Sequence, residues 1–331
     1  MKIIRWGILG AGHISTKFAV ALSAIEGIEI GAIASRSQEK ADQFAEQFHI
    51  KKAYASYEEL VKDPEIDVIY IGTPHTEHKA NSELCIRNGK AVLCEKPFTL
   101  NQQDSEYLIT LAKEYNVFLM EAMWTKFMPV TKTVKQWLEE KAIGKVKYFD
   151  ITFGYDGGYD VNGRLLNPEL AGGALLDVGI YPITYAIHMM GKLPEQISGT
   201  AYLGQTKVDE VNAISLRFED GTIAMLGSAV TVDMHNQAII VGDKGKIVVP
   251  DFWKAESAEL YDKNGELINT FKMPFLANGY EYEAEAVNAC LREGKKESEI
   301  VPLADTLEIM KVMDKIRMDW GLTYPQEIFD K

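Results

Sequence analysis

Three side chains stand out by type and position: Lys96 within Glu95-Lys96-Pro97, and Asp177 and Tyr181, four residues apart just after Ala171-Gly172-Gly173. Lys96 follows the apolar run Ala91-Val92-Leu93-Cys94, which reads as a buried strand, so its ammonium is expected at a strand's carboxyl end. In an open parallel sheet that edge is where ligands bind. An ammonium there can hold a ligand oxygen beside a flat redox ring. On a helix Asp177 and Tyr181 share one face, and the glycines before them let the backbone come close to a bound molecule. A tyrosine hydroxyl has an ordinary pKa of about 10, about three units too high for easy proton exchange at neutral pH. A neighbouring ammonium lowers it, and a carboxylate can orient that ammonium. Together these groups suit proton transfer at a carbon-bound oxygen. Taken alone, Tyr181 reads as a buried aromatic whose hydroxyl finds one partner.

A second constellation surrounds the first strand. Residues 3–9 run straight into Gly10-Ala11-Gly12-His13-Ile14-Ser15. The first glycine permits a tight turn, and the second lets backbone approach a pyrophosphate at a helix N-terminus. The third glycine position holds Ser15, a small residue. The second strand ends in Ala34-Ser35-Arg36-Ser37, where an acid would bind an adenosine ribose 2′-hydroxyl. No acid is present. Ser35 and Arg36, with Lys40 one helical turn on, suit a 2′-phosphate instead, so NADP is expected ahead of NAD, with NAD possible. Another strand ends in Thr73-Pro74-His75-Thr76-Glu77-His78. Pro74 stops it and presents backbone to a ligand. His75 and His78 could reach the cofactor or be ordinary polar residues of a helix start. The cofactor set expected on these grounds is Gly10, Gly12, His13, Ile14, Ser35, Arg36, Lys40, Thr73, Pro74, His75 and His78.

The elements that must position these groups follow from periodicity. Up to about residue 122, strands at 3–9, 28–34, 67–73, 91–94 and 117–122 alternate with helices at 13–25, 37–48, 57–62, 76–88 and 102–115. Ser37 and Asn101 sit where N-caps belong. Continuous apolar strands between helices imply a parallel sheet covered on both faces. This is a doubly wound Rossmann domain over 1–122. After about residue 145 the period shifts towards two. Strand-like runs are joined by Asp220-Gly221, Asp243-Lys244-Gly245 and Asn264-Gly265, which are hairpin signals. Helices are expected at 174–190, 280–293 and 304–319. Residues 123–331 therefore read as a C-terminal α+β domain with a large, mainly antiparallel, open-faced sheet, its last helix able to pack back on the first domain. The expected site lies in the cleft between these halves.

With 331 residues the chain is too long for one comfortable core. Its net charge of −13, without a basic block, lacks the footprint of a nucleic-acid partner. The N-terminus lacks the pattern of a signal peptide, and no run is expected to reach membrane-spanning length. Cys85, Cys94 and Cys290 are scattered without metal-ligand spacing and read as small buried hydrophobes in a reducing cytoplasm. No His/Asp/Glu cluster suggests a metal.

The strand ending in Thr73-Pro74, the segment GKAVLCEKP (89–97), Glu121-Ala122-Met123-Trp124 and AGGALLDVGIY (171–181) together resemble the glucose-fructose oxidoreductase / inositol dehydrogenase / rhizopine-catabolism (Gfo/Idh/MocA) family. The resemblance covers essentially the whole chain. The last two segments look most like the branch holding dimeric dihydrodiol dehydrogenases, NADP-dependent xylose dehydrogenases and glucose-fructose oxidoreductase. The resemblance implies Glu95, Lys96 and Pro97 as the family's nicotinamide-side cofactor motif, with Lys96 as the catalytic lysine, and Asp177 and Tyr181 as its Asp-x-Gly-x-His segment with tyrosine as the acid/base. The family's further aspartate falls on Thr184, which argues against an inositol dehydrogenase site. Arg164 lies near an arginine that contacts the cofactor in the branch. Trp124, counted with the cofactor set, and Tyr280 could wall a sugar or diol pocket. His188 reads as a core histidine.

The resulting expectation is an NADP-dependent oxidoreductase passing hydride between nicotinamide and a CH–OH or C=O carbon of a sugar, polyol or cyclic diol. Its alternatives are a non-catalytic NADP-binding redox sensor or scaffold, and an NAD-dependent inositol-type dehydrogenase. The expected partners are a small-molecule substrate and a second copy of the chain, paired through the C-terminal sheet. Neither nucleic acid nor membrane is expected.

Overall fold

The mainly apolar runs of the first half, with one short edge strand, form a six-stranded sheet in the order β3-β2-β1-β4-β5-β6, all neighbours parallel. The structure, a computed structural model, describes residues 3–327. The strands are β1 (Ile4–Leu9), β2 (Ile28–Ala34), β3 (Lys52–Tyr54), β4 (Val68–Ile71), β5 (Ala91–Glu95) and β6 (Leu119–Ala122). Every residue of β4, β5 and β6 is buried, as a sheet covered on both faces demands. The helices between them are α1 (His13–Ser23), α2 (Gln38–Phe48), α3 (Tyr57–Val61), α4 (His78–Arg87) and α5 (Gln102–Glu114). Ser37 and Asn101 cap α2 and α5 as their positions imply, accepting the Lys40 and Asp104 N–H groups. Strand β3 has no counterpart in the expected list. It is a three-residue edge strand, only half-buried, so it carries no apolar run to read.

The chain divides into two compact units. The first runs to Trp124 and resumes over Phe275–Leu307; the second covers Thr125–Pro274 and begins again at Glu308. Residues 275–307 thus group with the first unit, which differs from a division at 122/123. The reason is visible in their contacts. Helix α8 (Glu281–Arg292) packs on α1, Asn288 accepts the Trp6 Nε1–H at 3.0 Å, and Asn278 donates to the Lys17 carbonyl at 2.8 Å.

In the second unit an eight-stranded sheet has the order β14-β13-β12-β11-β7-β10-β9-β8. Its strands are β7 (Val146–Gly154), β8 (Gln196–Leu203), β9 (Asp209–Arg217), β10 (Ile223–Ala229), β11 (Gln237–Gly242), β12 (Gly245–Pro250), β13 (Ser257–Asp262) and β14 (Leu267–Lys272). All pairings are antiparallel except β7 with β10. The hairpins β9–β10, β11–β12 and β13–β14 turn at the Asp-Gly, Asp-Lys-Gly and Asn-Gly sites. Against this sheet lies α7, whose first turn, Leu175–Gly179, is π-helical and runs into the α-helix Ile180–Met190. Two elements of this unit have no counterpart in the sequence reading. Edge strand β8 is mostly exposed; its alternation is carried only by Ile197, Ala201 and Leu203, with Gly199 between them, and so is faint. Helix α6 (Pro129–Glu139) was legible but passed over: Pro129 suits a first helical position, and Val130, Val134 and Trp137 are buried at helical spacing. The last helix is α9 (Leu303–Asp319). Contrary to expectation, one stretch, Pro168–Met190, is long and apolar enough to cross a membrane, but 89% of its most apolar window is buried inside the fold.

Candidate active site

The strand order of the first sheet reverses between β1 and β4, and both strands end in glycine there. Gly10 has φ +93° and donates to the Ala34 carbonyl at 2.9 Å; a Cβ on it would lie 3.1 Å from the Gly72 carbonyl oxygen. Gly12, with φ −92°, needs no special conformation. What it supplies is room, because a Cβ there would meet only the Gly72 oxygen, at 4.0 Å. Gly12 is also the N-cap of α1 and offers no side-chain cap, so the first N–H groups of α1 face outward for a ligand. An open glycine cradle before an uncapped helix start fits a pyrophosphate. His13 is exposed and Ile14 half-buried in the same first turn.

Ser15 shows how the helix comes close to the sheet without a third glycine. It is wholly buried, and a Cβ on Gly72 would collide with its Oγ and lie 2.9 Å from Tyr70 and 3.3 Å from Ile14. The close approach comes from the strand side, at Gly72, which the sequence reading passed over although a glycine at a strand's end is legible. Gly72→Ala is expected to overpack this seam, costing about 1–3 kcal/mol and weakening dinucleotide affinity more than turnover at saturation. Thermal melts with and without NADPH measure both; an unchanged melt with unchanged affinity would contradict the seam.

At the end of β2, Ser35 is buried and its Oγ accepts the Ser37 N–H at 3.3 Å, while Arg36 and Lys40 are exposed. At the end of β4, Thr73 is buried, Pro74 exposed and His75 half-buried. His78 does not offer a group to a ligand. It is wholly buried, with one ring nitrogen 2.8 Å from the Pro97 carbonyl and the other 2.9 Å from the Thr73 carbonyl. Burial lowers its pKa, opposed by those carbonyls. His78 thus braces the loops after β4 and β5 together, a structural part in place of the cofactor contact expected of it. Asn81, which the sequence reading missed, adds a 3.0 Å bond to Thr73 Oγ1.

Lys96 follows β5 directly and is half-buried; Pro97, joined to it by a cis peptide bond, is buried. Glu95 points into the fold. It accepts the Tyr70 hydroxyl at 2.6 Å and the Lys96 backbone N–H at 3.3 Å. Burial raises its pKa, with Lys96 as the main opposing influence. Trp124 and Tyr280 stack with centroids 4.2 Å apart. The structure therefore makes them one aromatic plate of the first unit rather than two separate walls.

In the second unit, Ala171-Gly172-Gly173 leads into the π-helical turn holding Asp177, and Tyr181 follows in the α-helical part of α7. A π turn is wider than an α turn, so the simple four-residue face argument does not carry over unchanged. Asp177 accepts from Arg164 Nη1 at 2.7 Å and from the Tyr155 hydroxyl at 2.8 Å. Burial, with Asp177 second, raises the Tyr155 pKa, which keeps this hydroxyl a donor. Tyr155 follows the end of β7 and was missed, although its place at a strand's end is the available signal. The expected cofactor arginine, Arg164, is placed on Asp177. Tyr181 is buried with its ring centroid 5.6 Å from Phe153, which stacks on Trp253 at 3.8 Å. Thr184 is buried on the same helix. The His188 pKa falls to about 3 through burial and the nearby Lys126 and Lys135, so this ring is neutral. Among the described residues no group of three or more His, Cys, Asp or Glu is placed to hold a metal.

Comparison with known proteins agrees with the fold. Residues 4–123 match the family model described as an oxidoreductase family with an NAD-binding Rossmann fold, and residues 131–248 match the GFO/IDH/MocA C-terminal domain. The trans-1,2-dihydrobenzene-1,2-diol dehydrogenase of Xenopus tropicalis is 42% identical over 329 residues, covering 97% of this chain and 99% of that protein. The enzyme of that name from Homo sapiens is 34% identical, covering 98% and 99%. Among solved structures, an aldose-aldose oxidoreductase from Caulobacter crescentus, complexed with glycerol, has a TM-score of 0.86 at 24% identity, covering 96% of this chain and 97% of that one. A 3-ketoreductase from Actinomadura kijaniata in complex with NADP and TDP-benzene has a TM-score of 0.84 at 24% identity, covering 95% and 97%. These structural likenesses speak to the fold.

Proposed function

The chain belongs to the Gfo/Idh/MocA oxidoreductase family, and from that premise we propose that it is an NADP-dependent dehydrogenase acting on a vicinal diol, cyclic polyol or sugar. The observation that carries this reading is Lys96, an ammonium at the carboxyl end of β5, on the same sheet edge as the glycine cradle of Gly10 and Gly12. That cradle and the α1 N-terminus would hold the pyrophosphate, and Arg36 and Lys40 the 2′-phosphate. The dinucleotide, when bound, takes or supplies the hydride. Lys96 steadies the substrate oxygen. In the oxidative direction Tyr181, ionised, takes the hydroxyl proton as the carbon gives up its hydride; in the reductive direction it returns that proton. Asp177, held by Arg164 and Tyr155, orients Tyr181 from the same helix. The substrate class is supported by the dihydrodiol dehydrogenases at 34–42% identity over nearly their whole length. A panel of trans-dihydrodiols, aldoses and inositols, read by reduced-nicotinamide absorbance with either dinucleotide, tests it. Turnover of inositols with NAD alone would overturn the assignment.

We also propose that two copies pair through the open face of the eight-stranded sheet. Thr200, Tyr202, Ala213, Met225 and Gly227 share that face by register, while α7 covers the other. Tyr202 is 64% exposed and Met225 38%, more apolar surface than a solvated sheet face needs. A homodimer is expected in sedimentation, and Met225→Asp is expected to split it into monomers; a monomeric parent would end the idea. The three cysteines, all buried free thiols, are in keeping with the reducing cytoplasm proposed for it; a disulfide in protein from its native cells would argue otherwise.

A further inference from the structure

The start of α7 is held by a carboxylate that the proposed chemistry does not use. Asp209, the first residue of β9, is wholly buried. Its Oδ2 accepts the Leu175 N–H and Asn212 Nδ2, both at 2.8 Å. Among the described residues its Oδ1 has no hydrogen-bond partner. That oxygen faces Gly173, whose φ is +119° and where a Cβ would collide with it and come 3.4 Å from the Tyr324 hydroxyl. Tyr324 is itself wholly buried and donates to the Gly172 carbonyl at 2.9 Å. Arg317 lies over its ring and binds Asp314 and Glu327. A β-strand, a glycine turn and the C-terminal segment thus converge on the two residues that precede α7.

We propose that Asp209 is a positioning residue for Asp177 and Tyr181: with Gly173 and Tyr324 it sets the first turn of their helix through the hydrogen bond it accepts from Leu175. The proposal rests on the reading that Asp177 and Tyr181 serve the reaction. Leu175 N–H is one of the first-turn donors that a helix cannot satisfy itself, and it lies two residues before Asp177. Ionised, Asp209 gives that donor a charge-assisted bond at the positive end of the helix. The same ionised state leaves Oδ1 desolvated and without a donor. Burial therefore pushes the Asp209 pKa up to about 7, opposed by Asn212 and Leu175. The titratable groups facing it are the Tyr324 hydroxyl, with Arg317 and Glu327 around that ring; Asp177 is engaged with Arg164 and Tyr155. Because the folded pKa lies above the ordinary 3.8, the proton's stabilising contribution is full below that value and is lost as pH rises through about 7.

The test compares Asp209→Ala and Asp209→Asn for kcat, KM and thermal midpoint across pH. Asp209→Ala is expected to lower kcat by about 10- to 100-fold through misplacement of α7, with dinucleotide KM unchanged. Asp209→Asn, whose amide oxygen still accepts the Leu175 N–H, is expected to recover most of that loss. It should also flatten the fall in thermal midpoint up to about pH 7. A folded Asp209→Ala protein with parental kcat would overturn the proposal, as would an Asp209→Asn protein that keeps the parental pH dependence of melting. If the alanine variant does not fold, the asparagine variant alone decides. A Tyr181→Phe protein with normal turnover would sink the catalytic reading only, since the melting arm reports on Asp209 regardless of turnover.

Discussion

Lys96→Ala and Tyr181→Phe are each expected to lower kcat by about 10²- to 10⁴-fold, the range by which a placed proton-transfer group accelerates a reaction. The two substitutions remove different things. Tyr181→Phe deletes one oxygen and keeps the ring that packs beside Phe153 at 5.6 Å, so its melting temperature should stay near the parent's while turnover falls. Lys96→Ala removes the ammonium and with it the main influence that opposes the raised pKa of Glu95. Glu95 then holds a proton to higher pH, and the pH profile of the residual activity should change as well. If both groups act on one oxygen, the double variant should lose little more than the worse single variant, because members of one catalytic unit are not additive. Steady-state kinetics on whichever substrate the panel identifies decides this. Normal turnover in both single variants would refute the assignment, whereas tight NADPH binding without turnover on any polyol or aldose by the parent would favour the sensor.

Arg36→Asp should reverse the dinucleotide preference. Arg36 is exposed at the end of β2, beside Ser35 whose hydroxyl serves its own turn. A guanidinium can meet a 2′-phosphate with two parallel charge-assisted bonds, each worth about 1.5–3 kcal/mol. An aspartate at this place repels the phosphate and can accept from a free ribose 2′-hydroxyl. Loss on one side and gain on the other imply a swing of about 10²- to 10³-fold in the ratio of NADPH to NADH affinity. Titration of each dinucleotide by fluorescence gives the ratio directly. A preference unmoved by the substitution would show that the 2′-position is read elsewhere, or not at all.

Much of this arrangement was legible because it rests on local rules. The runs at β1, β2, β4, β5 and β6 are mostly apolar on both faces, as a doubly covered parallel sheet needs, and Gly10 and Gly12 sit in the turn between β1 and a helix N-terminus, which suits an anionic ligand. Asp-Gly, Asp-Lys-Gly and Asn-Gly marked three hairpins through the steric freedom of glycine. Of the elements missed, β3 and β8 are edge strands whose residues largely face water, so their partners and not their composition make them regular, whereas α6 carried a legible proline start and apolar face.

The identities of the chemical groups belong to the sequence by itself: a lysine after a buried strand, an aspartate and a tyrosine after a double glycine, a basic pair where an acid would select NAD. Their partners were decided only by the tertiary structure. His78 is tied to two carbonyls 5 and 19 residues away in sequence, Asp177 to Tyr155 and Arg164, and the first turn of α7 to Asp209 from another strand. A hydrogen bond depends on distance and desolvation, neither of which is written in residue spacing once the chain has turned back on itself.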